Sequence, residues 1–219
     1  MVFEAKRKLW NYLSLSGAVG VIFYNAHVVI GGFLWDGYSH VRQTISELTA
    51  KGAPNADFLR ILTSVYGLLL VIFSIYVYIA MRKSKVHKAV IIGSIFFVVM
   101  QFSSFIGYSL FPLDLSAATS GFQNVMHIIV TIIVVICTIA SSYCIGIGFF
   151  KSEKHRKIGF FILLCAVIIT ISGILTPIAM ANNLGISGLT ERINIFALQS
   201  WIFVLSLYLF AQDRKSITM

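Results

Sequence analysis

The chain has 219 residues, of which 58% are hydrophobic and only 11% charged. A soluble domain carries about 25% charged residues, and one core of this size could not hide so much apolar surface. A water-soluble fold is therefore excluded, and a net charge of +9 needs an explanation other than a nucleic-acid partner.

A bilayer span takes about 20 apolar residues, and six runs of that length are present. The first is Tyr12 to Trp35, preceded by Lys6, Arg7 and Lys8. It is too long for a signal peptide, and no small-residue cleavage site follows it, so a retained span is expected. The others are Phe58 to Met81, Ala89 to Phe111, Val125 to Phe150, Ile158 to Met180 and Ile193 to Ala211. The expected fold is all-α: a single membrane domain over 1–219, a polytopic bundle of about six transmembrane helices. Cys137, Cys144 and Cys165 all lie inside apolar runs. There they read as packing residues rather than disulfide partners.

Basic residues set the expected orientation. Lys6, Arg7 and Lys8 precede span one, Arg82, Lys83, Lys85 and Lys88 follow span two, and Lys151, Lys154, Arg156 and Lys157 follow span four. With Arg214 and Lys215 in the tail, 13 of the 17 basic residues fall on one side. That side is expected to be cytoplasmic, with both termini, in the cell membrane. The positive charge is then a topology signal and a surface for anionic lipid. The opposite, outer side keeps Arg42, Lys51, Arg60 and Arg192 with Asp36, Glu47, Asp57, Asp114 and Glu191. Glu4, Glu153 and Asp213 lie inside.

The outer loops carry the information. The first reads DGYSHVRQTISELTAKGAPNAD, with Val41, Ile45 and Leu48 at helical spacing among polar neighbours. A short amphipathic helix lying at the interface is expected there, with Ser39 as N-cap. Gly52, Ala53 and Pro54 break it. Asn55 would then cap span two, whose first turn holds Asp57.

Arg60 and Arg192 stand near the N-terminal ends of spans, where the helix dipole disfavours a cation. An acid partner is expected for each: Asp57 or Asp114 for Arg60, and Glu47, Asp114 or Glu191 for Arg192. His40 lies in the same outer loop. His127 lies about one turn inside span four, and His27 about 12 Å below the outer end of span one. Ser16, Gly20, Tyr24, His27 and Gly31 form a small-and-polar stripe that should face other helices, with Asn25 beside it. Ser94, Gln101, Ser104 and Tyr108 continue this polarity in span three, and His127, Thr131, Thr138 and Ser142 in span four. Ser172 and Thr176 do so in span five, where Pro177 is expected to kink the outer end.

Little catalytic chemistry has a diagnostic pattern. His27, His40, His127 and Asp114 are the candidate metal ligands, with zinc the metal such donors suit. No close histidine spacing joins them, so no cofactor is assigned. There is no nucleophile elbow, no phosphate-binding Gly-rich loop and no ring of pore residues. Asp114 and His127 are the candidates for acid–base work.

Three motifs, in order and spacing, resemble a bacterial and archaeal family of six-span membrane proteins, the domain-of-unknown-function family numbered 998. They are HVRQTISELTAKGAPNADF, FPLD at 111–114 followed by His127, and GLTER at 188–192. The resemblance covers nearly the whole chain and implies a six-helix bundle without supplying an activity. By position the family's polar marks fall on Ser46, Glu47, Pro54, Pro112, Asp114, His127, Glu191 and Arg192. The first loop also looks a little like that of eukaryotic six-span proteins linked to lipid remodelling.

Three functional expectations follow. The first is binding or sensing of a lipid or other amphiphile at the outer polar site. Its ligand residues would come from His27, His40, Glu47, Asp57, Arg60, Asp114, His127, Glu191 and Arg192. The second is an intramembrane lipid hydrolase or transferase, possible with metal, in the manner of the alkaline ceramidase-like superfamily, whose histidine pairing this chain lacks. The third is an accessory subunit or scaffold.

Overall fold

The computed structural model describes residues 10–215. Six helices follow one another: α1 Ser16–Phe33, α2 Ala56–Lys83, α3 Lys88–Leu110, α4 Phe122–Phe150, α5 Arg156–Ala181 and α6 Ser187–Lys215. A helical turn from Trp10 precedes α1, and each of the six is long and apolar enough to cross a membrane. In hydrocarbon every backbone amide needs an internal partner, so each long apolar run folds as a helix. The chain is a multi-pass membrane protein with a helical-bundle fold. The basic N-terminal residues Lys6, Arg7 and Lys8, and Glu4 with them, lie outside the described residues.

Each helix packs against the next, and α6 returns to α1, closing a ring whose thinnest seam is α1–α6. That seam is stitched by Ser206. Its hydroxyl accepts from the Ala18 amide at 2.9 Å and donates to the Ser14 carbonyl. These backbone groups are freed where the turn at Ser14 interrupts the start of α1. Inside the ring, the rings of Phe97 and Trp201 lie 5.2 Å apart and those of Phe73 and Phe97 6.0 Å apart, and all three residues are fully buried. Ile133, Ile136, Ile171 and Ile174 are exposed, as lipid-facing residues should be.

Close approach rests on small residues, as in other membrane bundles. Gly20 and Gly31 of the α1 stripe press on Leu70 and Leu59 of α2, so the stripe does face a neighbouring helix. Gly93 and Gly148 bring α3 and α4 together, and Gly159 lets α5 meet the last residues of α4. Pro177 sits inside α5 without ending it.

The ring's two ends differ. At one, short connections join Arg82, Lys83 and Lys88, and Lys151 and Arg156, with a 3-10 turn at Glu153–His155. At the other lie the loops 34–55, 111–121 and 182–186. The first of these departs from the expected amphipathic helix. It is a run of turns with a single 3-10 turn, Ser46–Thr49, tucked under the helix ends. Ile45 and Leu48 are buried while Val41 is exposed, so two of the three stripe residues point into the bundle. Asn55 does not cap α2 with its side chain. It takes a left-handed φ of 58°, and its amide donates to the Leu34 carbonyl at 3.2 Å, tying the start of α2 to the end of α1.

A methyl group at Gly159 would lie 2.7 Å from the carbonyl carbon of Phe149 and closer still to the Phe150 amide nitrogen, backbone that cannot move aside. Gly159→Ala should therefore cost about 1–3 kcal/mol, the scale of overpacking. Gly173→Ala, which meets only the amide end of Asn194, should cost much less. Thermal unfolding of the two variants in a mild detergent checks the difference.

Candidate functional site

The loop end is built by two clasps of the same design. In each, side chains from the first turns of a helix hold the backbone of a loop. The larger joins α6 to the first loop. Arg192 is 6% exposed. Its Nη1 donates to the carbonyls of His40, Gln43 and Gly188 at 2.7, 2.8 and 2.9 Å. Its Nη2 donates to the Tyr38 hydroxyl at 2.6 Å, and that hydroxyl passes a hydrogen bond to the Thr44 carbonyl at 2.7 Å. The guanidinium also lies 5.5 Å from the centre of the Tyr38 ring. The Leu189 amide reaches the Val41 carbonyl at 2.9 Å, and the Ser187 hydroxyl the Arg42 carbonyl at 2.7 Å.

The acid expected beside Arg192 is thus replaced by carbonyl dipoles. The reason is local: α6 begins with unpaired amides, the first loop presents unpaired carbonyls, and the arginine fork spans several of them at once. The two glutamates named as its partners do other work. Glu191 accepts from the Ile45 amide at 2.6 Å. Glu47 accepts from the Thr44 amide and hydroxyl, both at 2.9 Å. Together they cap the 3-10 turn. Gly188 permits the contact, because a side chain there would strike the Gln43 carbonyl and Arg192.

The smaller clasp joins α4 to the second loop. Asn124 accepts from the Asp114 amide at 2.9 Å and donates to the Asp114 carbonyl at 3.0 Å. Gln123 donates to the Pro112 carbonyl at 2.9 Å. His127 Nδ1 lies 2.9 Å from the Phe111 carbonyl. A carbonyl only accepts, so Nδ1 carries the hydrogen and Nε2 the lone pair. The two loops meet in one isolated bridge: the Lys51 amide donates to Leu113 at 2.7 Å, and the Leu115 amide to Lys51 at 3.2 Å.

The candidate residues therefore divide. Asp114 pairs with neither arginine. Its carboxylate holds the Ser116 hydroxyl and amide at 2.6 and 3.0 Å, and these bonds keep it below the usual carboxylate range. Asp114 and His127, the candidate acid–base pair, serve separate backbone groups. His27 is buried, with Nδ1 2.7 Å from the Tyr24 carbonyl. It leads into a chain of interior side chains, Tyr24 to Tyr66 at 4.8 Å and Tyr66 to Gln199 at 2.9 Å, rather than into the loops. Asn25 turns back on its own helix, donating to Val21 at 2.8 Å, and Gln101 is buried with Nε2 unpaired. His40 packs its ring over Gly32. Burial, and then the charge of Arg192, hold His40 below its ordinary pKa, while burial pushes the Tyr38 phenol up. The four candidate metal ligands stand apart, and among the described residues no three of His, Cys, Asp and Glu gather where a metal ion could be held.

Arg60 does meet the expected Asp57, at 3.1 Å, and its Nε donates to the Thr49 carbonyl at 3.0 Å. Its Nη2 is buried without a partner. Beside it a cavity of about 390 Å3 opens at the start of α2, between Lys51, Gly52, Ala53, Asn55, Phe58 and Arg60. Lys51 and Ala53 were not among the candidate residues. Neither were Tyr38, Gln43 or Asn124. For the 3-10 turn a signal did exist: Thr44-x-x-Glu47 has the spacing of a capping box.

Arg192→Met should strand the carbonyls of His40 and Gln43 and cost about 3 kcal/mol, the scale of losing charged hydrogen bonds to buried acceptors. Gly188→Ala should loosen the same contact. Both should open residues 36–44 to limited proteolysis. Asp57→Asn, at an exposed pair, should change stability by less than about 0.5 kcal/mol.

The family model described as "Protein of unknown function (DUF998)" matches residues 18–208. Neither a curated protein nor a solved structure matches the chain.

Proposed function

The chain belongs to the DUF998 family, and we propose that it binds or senses a lipid or other amphiphile at its loop end, on the outer face of the cell membrane. The observation that carries this reading is the cavity beside Arg60. It opens where a transmembrane helix begins, and Lys51, Arg60 and the half-exposed ring of Phe58 are among the residues that line it. Charge beside exposed apolar surface at a helix end suits a molecule with a polar head and an apolar tail. Acid–base chemistry on lipid has less support, because Asp114 and His127 do not share a reacting centre. A scaffold is the competing reading, favoured by the hydrogen-bonded clasp. An accessory subunit would leave the membrane with a stable partner on gentle extraction.

The test is thermal unfolding and native mass spectrometry of the protein in neutral detergent, against a panel of amphiphiles. At least one class should stay bound and raise the midpoint of unfolding, and Ala53→Trp, which fills the cavity, should abolish the effect. No binding, or binding that Ala53→Trp leaves intact, overturns the reading.

Orientation is checked separately. A cysteine replacing exposed Arg42 should react with an impermeant maleimide on intact cells. One replacing Lys85 should react only after permeabilisation. The reverse pattern would place the cavity on the cytoplasmic side.

A further inference from the structure

Resting on the amphiphile reading above, we infer that the cavity at the start of α2 selects a phosphate-bearing head group, held between Arg60 and Lys51. The guanidinium of Arg60 is oriented by two of its three nitrogens. Nε donates to the Thr49 carbonyl at 3.0 Å and Nη1 meets Asp57 at 3.1 Å. The third, Nη2, is buried with no acceptor. An unused donor on a fixed cation is costly away from water. It is shielded from water, so a ligand oxygen would satisfy it only after a small shift of the cavity wall.

The surroundings favour an anion. Lys51 and Arg60 line the cavity against one carboxylate, that of Asp57. The Asp57 side chain is 98% exposed, so it faces water while Arg60 is partly enclosed. Asp114 also acts on Lys51 electrostatically, but its carboxylate is engaged by Ser116. Asn55 makes no side-chain cap to α2, and Asp57, the one acid in the first turn, is turned to water. A phosphate suits this arrangement better than a carboxylate. Its several oxygens reach a fixed guanidinium nitrogen and a mobile ammonium together.

The experiment compares three probes on the full-length protein in neutral detergent: a lysolipid ending in a phosphate monoester, the neutral monoacylglycerol of the same chain length, and inorganic phosphate. The phosphate lysolipid should bind about tenfold more tightly than the neutral one, the scale of one charge-assisted hydrogen bond. Inorganic phosphate should displace it. Arg60→Gln and Lys51→Gln should each remove most of the preference. Asp57→Asn should strengthen it, an effect that misfolding could not imitate. If both lysolipids bind alike and none of the three variants alters their ratio, the phosphate inference fails and the amphiphile reading stands. If inorganic phosphate alone stabilises the protein as much as the lysolipid, the head-group chemistry stands and the amphiphile reading fails. If no probe binds, the phosphate inference fails.

Discussion

The loop end depends on one arrangement: a buried arginine at the start of a helix, hydrogen-bonded to backbone carbonyls rather than to an acid. Arg192 sits where the α6 dipole opposes a cation. Three carbonyls within 2.9 Å and the Tyr38 hydroxyl supply the compensating negative ends. The loop gains as much as the arginine does. Its carbonyls at His40 and Gln43 face the bundle, where water is scarce, and an unpaired carbonyl there is expensive. One guanidinium thus settles the position of Arg192 and the path of residues 38–44 together.

The same solution recurs at α4 with neutral groups. Asn124 uses its carbonyl and its amide on the two sides of Asp114. His127 and Gln123 hold Phe111 and Pro112. The FPLD and GLTER motifs are therefore opposite halves of one kind of contact. In the first, the motif is the backbone being held. In the second, the motif supplies the side chains that hold. Polar residues near span ends gather here to pair backbone at the edge of the membrane.

That difference explains what could be read in the sequence. Apolar runs long enough to span hydrocarbon have few alternatives to a helix, so a bundle of six long apolar helices was legible. Pairing between side chains was legible where the partner was local, as for Arg60 and Asp57 three residues apart. Arg192 was misjudged because its partners are carbonyls, which every residue has and no residue type announces. Asn55 resembled a cap by residue type, but a positive φ turns its amide toward Leu34. The amphipathic stripe in the first loop was real at Ile45 and Leu48, yet it marked burial beneath the helix ends and not a helix resting on lipid. Tyr38 and Asn124 carried no pattern to set them apart from ordinary loop and helix-start residues.

The two clasps also determine where the open cavity lies. Glu191 and Glu47 fix the start of the 3-10 turn, and the turn ends at Thr49, whose carbonyl receives Arg60 Nε. Two residues on, Lys51 is pinned through its backbone to Leu113 and Leu115, in the loop that Asn124 holds. The segment 49–51 is thus held from α6 on one side and from α4 on the other. It forms the wall that orients Arg60 and carries Lys51 to the cavity. By holding that wall, the clasps keep a buried guanidinium nitrogen unpaired and two cations together at the membrane's edge. A loop free to relax would let a carbonyl fold over Nη2. The clasps, far from the cavity in sequence, are therefore what maintain the arrangement of its two cations.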